Sequence, residues 1–399
     1  MTKKLVAALV GAVISTGCAA QESKPIRLGV LNDQSGVYAD FGGRGSVIAA
    51  RMAVEDYGGR VLGRPVEVLS ADHQNKPDVA STIARGWFER DNVDAVLDLT
   101  TSSVALAVRE VALSKNRAML IASASSPELT GKYCSPITVH WGFDSYANSV
   151  VAAKASVAAG LNTWFFLTGD NAGSHAQEEQ AANFVKQAGG QVLGAVRHPL
   201  ASPDFSSFLL QAQASKAKVV ALANAGVDTT NAIKQAREFG LVAGGQTVLP
   251  MLAFITDIKA LGLDNAAGLR FTDGFYWDRT DDTRAWSKRF MALNDGRAPT
   301  VVQAGVYTLS LHFLKSMDAA RSEEGDVVVK QMKNTAVNDA LWKNVRIRED
   351  GRSLNDMYLV EVKKPAESKE PWDFYRIIST IPGDQAFRPM ADGGCAMVK

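Results

Sequence analysis

The chain has 399 residues, more than one ordinary domain, and its length suggests about two, each able to bury its own core. Its 43 basic residues against 42 acidic ones leave neither the basic excess nor the basic stripe that a nucleic-acid footprint needs, which excludes DNA and RNA as partners. Lys3 and Lys4, the apolar run Leu5 to Ile14 and the small-residue segment Ser15 to Ala20 make the three regions of a secretory signal peptide over residues 1–20. That run is too short to span a bilayer, so an exported, soluble mature chain in the periplasm is expected. Gly17-Cys18 also resembles the end of a lipobox, but Ser15 stands where that motif has a large aliphatic residue; cleavage after Ala20 is the favoured reading.

Ile26 to Leu31 reads as a buried strand, followed by the glycine-interrupted loop NDQSGVYADFGGRG with Tyr38 and Phe41 in it. GGRG is not a dinucleotide fingerprint, because that motif must follow its strand directly. Helix Ser46 to Tyr57, strand Val66 to Ala71, helix Pro77 to Asp91 and strand Ala95 to Leu99 then give βαβ arithmetic and a parallel sheet covered on both faces. The next stretch organises the chain. A hydroxyl cluster, Thr100, Thr101, Ser102 and Ser103, opens a helix near Val104; strand Ala118 to Ala122 follows and ends in Ser123, Ala124, Ser125 and Ser126. Each cluster alone reads as N-caps and turn residues. Two in succession at strand ends, one of them at a helix start, could cradle a carboxylate.

After His140-Trp141-Gly142-Phe143 a second βα series begins, with helix Ser145 to Ala159, strand Thr163 to Leu167, the loop TGDNAGS carrying Asn171, and helix His175 to Gln187. Strand Gln191 to Pro199, helix Phe205 to Ala214 and strand Val219 to Ala223 continue it, and Asn224 begins another polar turn before a helix. Two doubly wound α/β lobes with a cleft between their facing strand ends are therefore expected. Leu269 to Phe275 reads as a crossover back, helices Thr283 to Leu293 and Gln303 to Ala319 complete the first lobe, and Val345 to Glu349 with Met357 to Lys363 reads as a hairpin-like pair around Asp350-Gly351-Arg352. A last strand runs from Tyr375 to Ile381.

No GxSxG elbow, HExxH, P-loop or metal-ligand spacing occurs, and the five histidines are scattered, so binding without turnover and without a cofactor is the better inference. His175, at a strand end, could meet a ligand, though local packing at its helix start is the favoured reading. If Cys18 leaves with the signal peptide, Cys134 and Cys395 are the two cysteines left in an oxidising compartment; a disulfide is favoured over two buried thiols.

SSVALAV followed by a short strand and ASASSPELTGKY resembles the periplasmic leucine/isoleucine/valine-binding protein family, the type I solute receptors of ABC importers. The likeness runs from Ile26 almost to the C-terminus. It implies lobes of residues 25–143 with 277–352 and 144–276 with 353–399, closing over a ligand, and an inner-membrane permease as partner of a monomer. It also implies that Ser102, Ser103, Ser123, Ala124 and Ser125 hold a carboxylate, with Tyr38, Phe41, Asn171, Asn224 and Phe254 around the ligand. The acidic partner of an amino acid's ammonium would fall near Leu252 in the apolar PMLAFITD, and the second lobe's loop aromatic near Gly173. Both departures favour a carboxylate without an ammonium, an aromatic acid first and a medium-chain aliphatic acid second. A sensor for a membrane receptor, a branched-chain amino acid binder and an exported enzyme are the alternatives.

Overall fold

The computed structural model describes residues 24–398, so the expected signal peptide lies outside the described residues. Strands β1 (Ile26–Asn32), β2 (Arg60–Val61), β3 (Arg64–Asp72), β4 (Ala95–Asp98), β5 (Ala118–Ile121) and β6 (Thr138–His140) form one sheet in the order β2-β3-β1-β4-β5-β6. All its neighbours run parallel except β2 against β3. β4 (AVLD) and β5 (AMLI) are buried at every position, as strands covered by helices on both faces must be. Because β3 lies on one side of β1 and β4 on the other, the loops leaving the carboxyl ends of β1 and β4 diverge and open a crevice.

A second sheet repeats this plan with β7 (Thr163–Gly169), β8 (Gln191–His198), β9 (Val219–Ala223) and β10 (Thr247–Pro250), all parallel in the order β10-β9-β7-β8. Here β7 and β9 straddle the corresponding crevice. β11 (Arg270–Asp273), β12 (Met357–Val362) and β13 (Tyr375–Ile381) make a small antiparallel sheet. Helix Val301–Ala320, buried along almost its whole length, packs on helix Gly43–Tyr57 and so belongs with the first sheet although it follows the second in sequence.

Three corrections to the sequence reading follow. The pair expected between Val345–Glu349 and Met357–Lys363 does not form; Ile347 bridges Ser353 around Gly351, while Met357–Val362 pairs with β11 and β13. The turn is consumed locally because Arg352 must lie alongside His140, with which it makes a parallel bridge. Helix Gly43–Tyr57 starts three residues before Ser46, since its glycines serve helix packing: a Cβ on Gly45 would stand 2.2 Å from Gln303 Nε2. Helix Gly325–Asn334 was not anticipated, although Val328, Val329 and Met332 give it a buried stripe.

Residues 142–144 and 352–356 lie against one another. Asn355 Nδ2 donates to the Gly142 carbonyl at 3.0 Å, and the fully buried Arg352 guanidinium lies 3.6 Å from Asp144 and 4.2 Å from the Phe387 ring centroid. The expected bridge joins Cys134 to Cys395, with Cα atoms 5.7 Å apart. Arg388 also pairs with Glu128 at 2.8 Å and donates to the Pro127 carbonyl at 2.9 Å. The last residues, grouped with the second lobe from the sequence, therefore rest against the first.

Candidate ligand cleft

Strand ends from both sheets meet in a cavity lined by Tyr38, Phe41, Thr100, Thr101, Ser102, Ser123, Ser125, Asn171, Gly173, Ser174, Gln177, Asn224, Ala225 and Leu252. Tyr38 and Phe41 come from the loop after β1, the threonines and Ser102 from the turn after β4, and Ser123 and Ser125 from the turn after β5. The second lobe supplies the turns after β7, β9 and β10. The two lobes touch here, since a Cβ on Gly173 would meet Ser125 Oγ at 2.8 Å and Ser102 Oγ at 3.3 Å. The cavity encloses only about 40 Å3, against roughly 300–1,000 Å3 for pockets that hold small organic ligands. A ligand of that size enters only when the lobes part.

Three helices begin at this cavity: Ser102–Ser114, Ala172–Gln187 and Val227–Glu238. The first has Thr101 before it but no side-chain cap, which leaves its first N–H groups without a protein acceptor. The second is capped by Asn171, whose Oδ1 accepts from the Ser174 N–H at 3.0 Å. Positive dipole ends thus converge on one spot, while none of the lining side chains is Asp, Glu, Lys or Arg. Such a site suits an anion.

The polar side chains differ in what they have left to offer. Ser102 Oγ accepts from the Ser126 N–H at 3.1 Å and Thr100 Oγ1 from the Asp33 N–H at 2.9 Å, so each hydroxyl keeps its proton for the cleft. Ser123 gives its proton to the buried Asp98 carboxylate. Asn224 is largely committed, with Nδ2 3.0 Å from His198 Nε2 and Oδ1 accepting from Thr229 at 2.7 Å. Gln177 Nε2 donates to the Met251 carbonyl at 2.9 Å and so fixes the segment carrying Leu252. Burial, with Asp228 and Asp33 nearby, pushes the Tyr38 phenol far above its ordinary value, which keeps it a donor. Phe41 lies tilted against Phe254 with ring centroids 4.3 Å apart, and Phe254 meets Phe143 at 5.7 Å, making an aromatic wall.

Of the residues singled out from sequence, Tyr38, Phe41, Ser102, Ser123, Ser125, Asn171 and Asn224 line the cavity. Three do not. Ser103 Oγ faces Thr101 Oγ1 at 3.4 Å one step along the helix, the Ala124 carbonyl accepts from His140 Nε2 at 2.7 Å, and Phe254 stands behind Phe41. His175 sits outside the lining with Nε2 2.9 Å from Asp170. Ser174, Gln177 and Ala225 were missed; only their places in the two polar turns and the helix after them pointed to them. A larger hollow of about 510 Å3 lies on the outside of the second lobe beside Ala155, Val248 and Phe271, without a converging set of free polar groups.

A model of the family described as periplasmic binding proteins matches residues 25–369. A crystal structure of a periplasmic binding protein from Burkholderia mallei is 45% identical, covers 94% of this chain and all of its own, and superposes with a TM-score of 0.91. A branched-chain amino acid ABC transporter periplasmic ligand-binding protein from Burkholderia xenovorans, 40% identical, covers 94% of this chain and all of its own at a TM-score of 0.83. The Leu/Ile/Val-binding protein homolog 6 of Brucella melitensis is 27% identical over 65% of this chain and 67% of its own length. No helix among the described residues is long and apolar enough to cross a membrane. With two parallel lobes, a cleft at their facing strand ends and a match over most of its length, the chain belongs to the periplasmic binding protein family, as an ABC-transporter solute-binding protein of the leucine/isoleucine/valine-binding type.

Proposed function

We propose that this receptor delivers a small organic acid, an aromatic carboxylate foremost, to an inner-membrane permease by closing residues 25–143 with 277–352 against 144–276 with 353–381. The observation that carries this reading is the cleft's charge pattern: an uncapped helix start at Ser102, free hydroxyl protons on Ser102 and Thr100, and no ionic side chain in the lining. An anion gains charge-assisted hydrogen bonds there, each worth about 1.5–3 kcal/mol. An α-ammonium group would be buried against Leu252 with no carboxylate to pair with, which costs several kcal/mol. Tyr38, Phe41 and Leu252 give the ligand's body an apolar, aromatic surface.

The names of the Burkholderia xenovorans and Brucella relatives favour a branched-chain amino acid as the second reading. Calorimetry of the mature protein with benzoate, octanoate, their amides and leucine separates the two. Acids bind and their amides bind at least about tenfold more weakly on the first reading; tight leucine binding without acid binding overturns it. Scattering with and without a bound acid is expected to show a more compact particle in the bound state.

A further inference from the structure

Beneath the cleft lies a residue that is no part of the lining and yet controls one that is. Asp98 ends β4 with φ +79° and is followed by Leu99 at φ +61°, two non-glycine residues in the left-handed region. Consecutive backbone strain of that kind is held only where the surroundings fix it. It turns the Asp98 side chain under the turns after β1 and β5, fully buried, where Oδ2 accepts from Asn32 Nδ2 at 2.9 Å and Oδ1 from the Ser123 hydroxyl. Its main-chain carbonyl accepts from the Ala122 and Ser123 N–H groups at 3.1 and 3.3 Å, so both ends of the residue grip the second serine turn.

An ionised carboxylate only accepts hydrogen bonds, and a serine hydroxyl has a single proton. Burial pushes Asp98 up to about 6, which still leaves it mainly ionised at pH 7.5. Ser123 then spends its proton downward and shows the cleft only lone pairs. Ser102 and Thr100, which accept from backbone N–H groups, show the cleft protons. Resting on the proposed acid-binding role, we propose that Asp98 is a specificity-determining residue: it holds Ser123 as a hydrogen-bond acceptor, so that the receptor prefers acids bearing their own O–H or N–H donor to acids of the same size without one.

Asp98→Asn reverses this polarity with almost no change of shape. The oxygen of the new amide can still accept from Asn32, but its N–H then donates to Ser123 and sends that hydroxyl's proton into the cleft. Calorimetry at pH 7.5 compares 2-, 3- and 4-hydroxybenzoate with the corresponding methylbenzoates on wild type and variant, with thermal melting to verify folding. In wild type at least one hydroxy acid binds about tenfold tighter than its methyl counterpart, and in Asp98→Asn that ratio falls to about threefold or less. An unchanged ratio in a folded variant overturns the proposal. Should wild type bind no acid at all, the acid-receptor reading fails and the hydroxyl's direction is decided without ligand. Carboxyl NMR titration then follows Asp98 in wild type and Ser123→Ala: loss of a donor raises the carboxyl's pKa, whereas an unchanged or lower value overturns the proposal.

Discussion

Two helices start on opposite walls of one cleft and treat their first N–H groups differently. On the second lobe, Asn171 caps helix Ala172–Gln187 through the Ser174 N–H, and Asn171 Nδ2 donates to Ser174 Oγ at 2.9 Å. On the first lobe, Thr101 precedes helix Ser102–Ser114 without capping it. The capped start has one of its first N–H groups already satisfied. The uncapped one is finished only by something from outside the chain, and a helix start that a protein leaves unfinished beside a cavity is where an anion gains most. Helix Val227–Glu238 of the second lobe also starts without a side-chain cap, so what sets the first lobe apart on the proposed reading is the pair of hydroxyl protons on Ser102 and Thr100 beside its unfinished helix.

The comparison breaks most severely if the missing anion is built into the protein. Leu252→Glu brings a carboxylate into the cleft, where like charges about 5 Å apart repel by about 3 kcal/mol at an effective dielectric near 20. Acid affinity measured by calorimetry should drop a hundredfold or more, and leucine affinity should rise. Next in size, Ser102→Ala removes a free hydroxyl proton at the unfinished helix and should weaken acid binding about tenfold. Gly173→Ala tests the second lobe's part in closure. Its new Cβ would crowd Ser125 and Ser102, so a smaller loss of about threefold is expected, together with less compaction in scattering when the acid is bound. The smallest effect on affinity belongs to Asn171→Ala, which should lower unfolding free energy by about 1 kcal/mol in denaturant melts yet shift acid affinity no more than about twofold. A greater loss of affinity than of stability there would erase the distinction between the two walls.

The sequence made much of the first wall legible and less of the second. Short apolar runs ending in hydroxyl clusters located β4, β5 and the turns that carry Ser102, Ser123 and Ser125, because a parallel strand's burial is written in its composition. What composition does not record is rotation. Ser103 is a neighbour of the lining residue Ser102 and its hydroxyl faces Thr101 instead, since one step along a helix moves a side chain by a large angle. Gln177 reaches the cavity only because the lobes meet there, a long-range fact. β10 ends in Pro250 and is four residues long, too brief for alternation to register. Asp98 was hidden for another reason: its importance lies in the direction of a neighbour's proton, which no spacing rule reports.

The tie between Cys134 and Cys395 spans 261 positions and sets an order of events during synthesis. The first sheet is complete in sequence by His140, yet helix Val301–Ala320 that covers it and the cysteine that staples it come from the far end of the chain. A nascent chain holding only its first half therefore has that face of the sheet covered by helix Gly43–Tyr57 alone, without the longer helix that packs beside it. Covalent locking waits until the final residues have reached an oxidising compartment. A copy kept under reducing conditions would hold both thiols, and its tail would lose the covalent tie while keeping the Arg388 contacts to Glu128 and the Pro127 carbonyl.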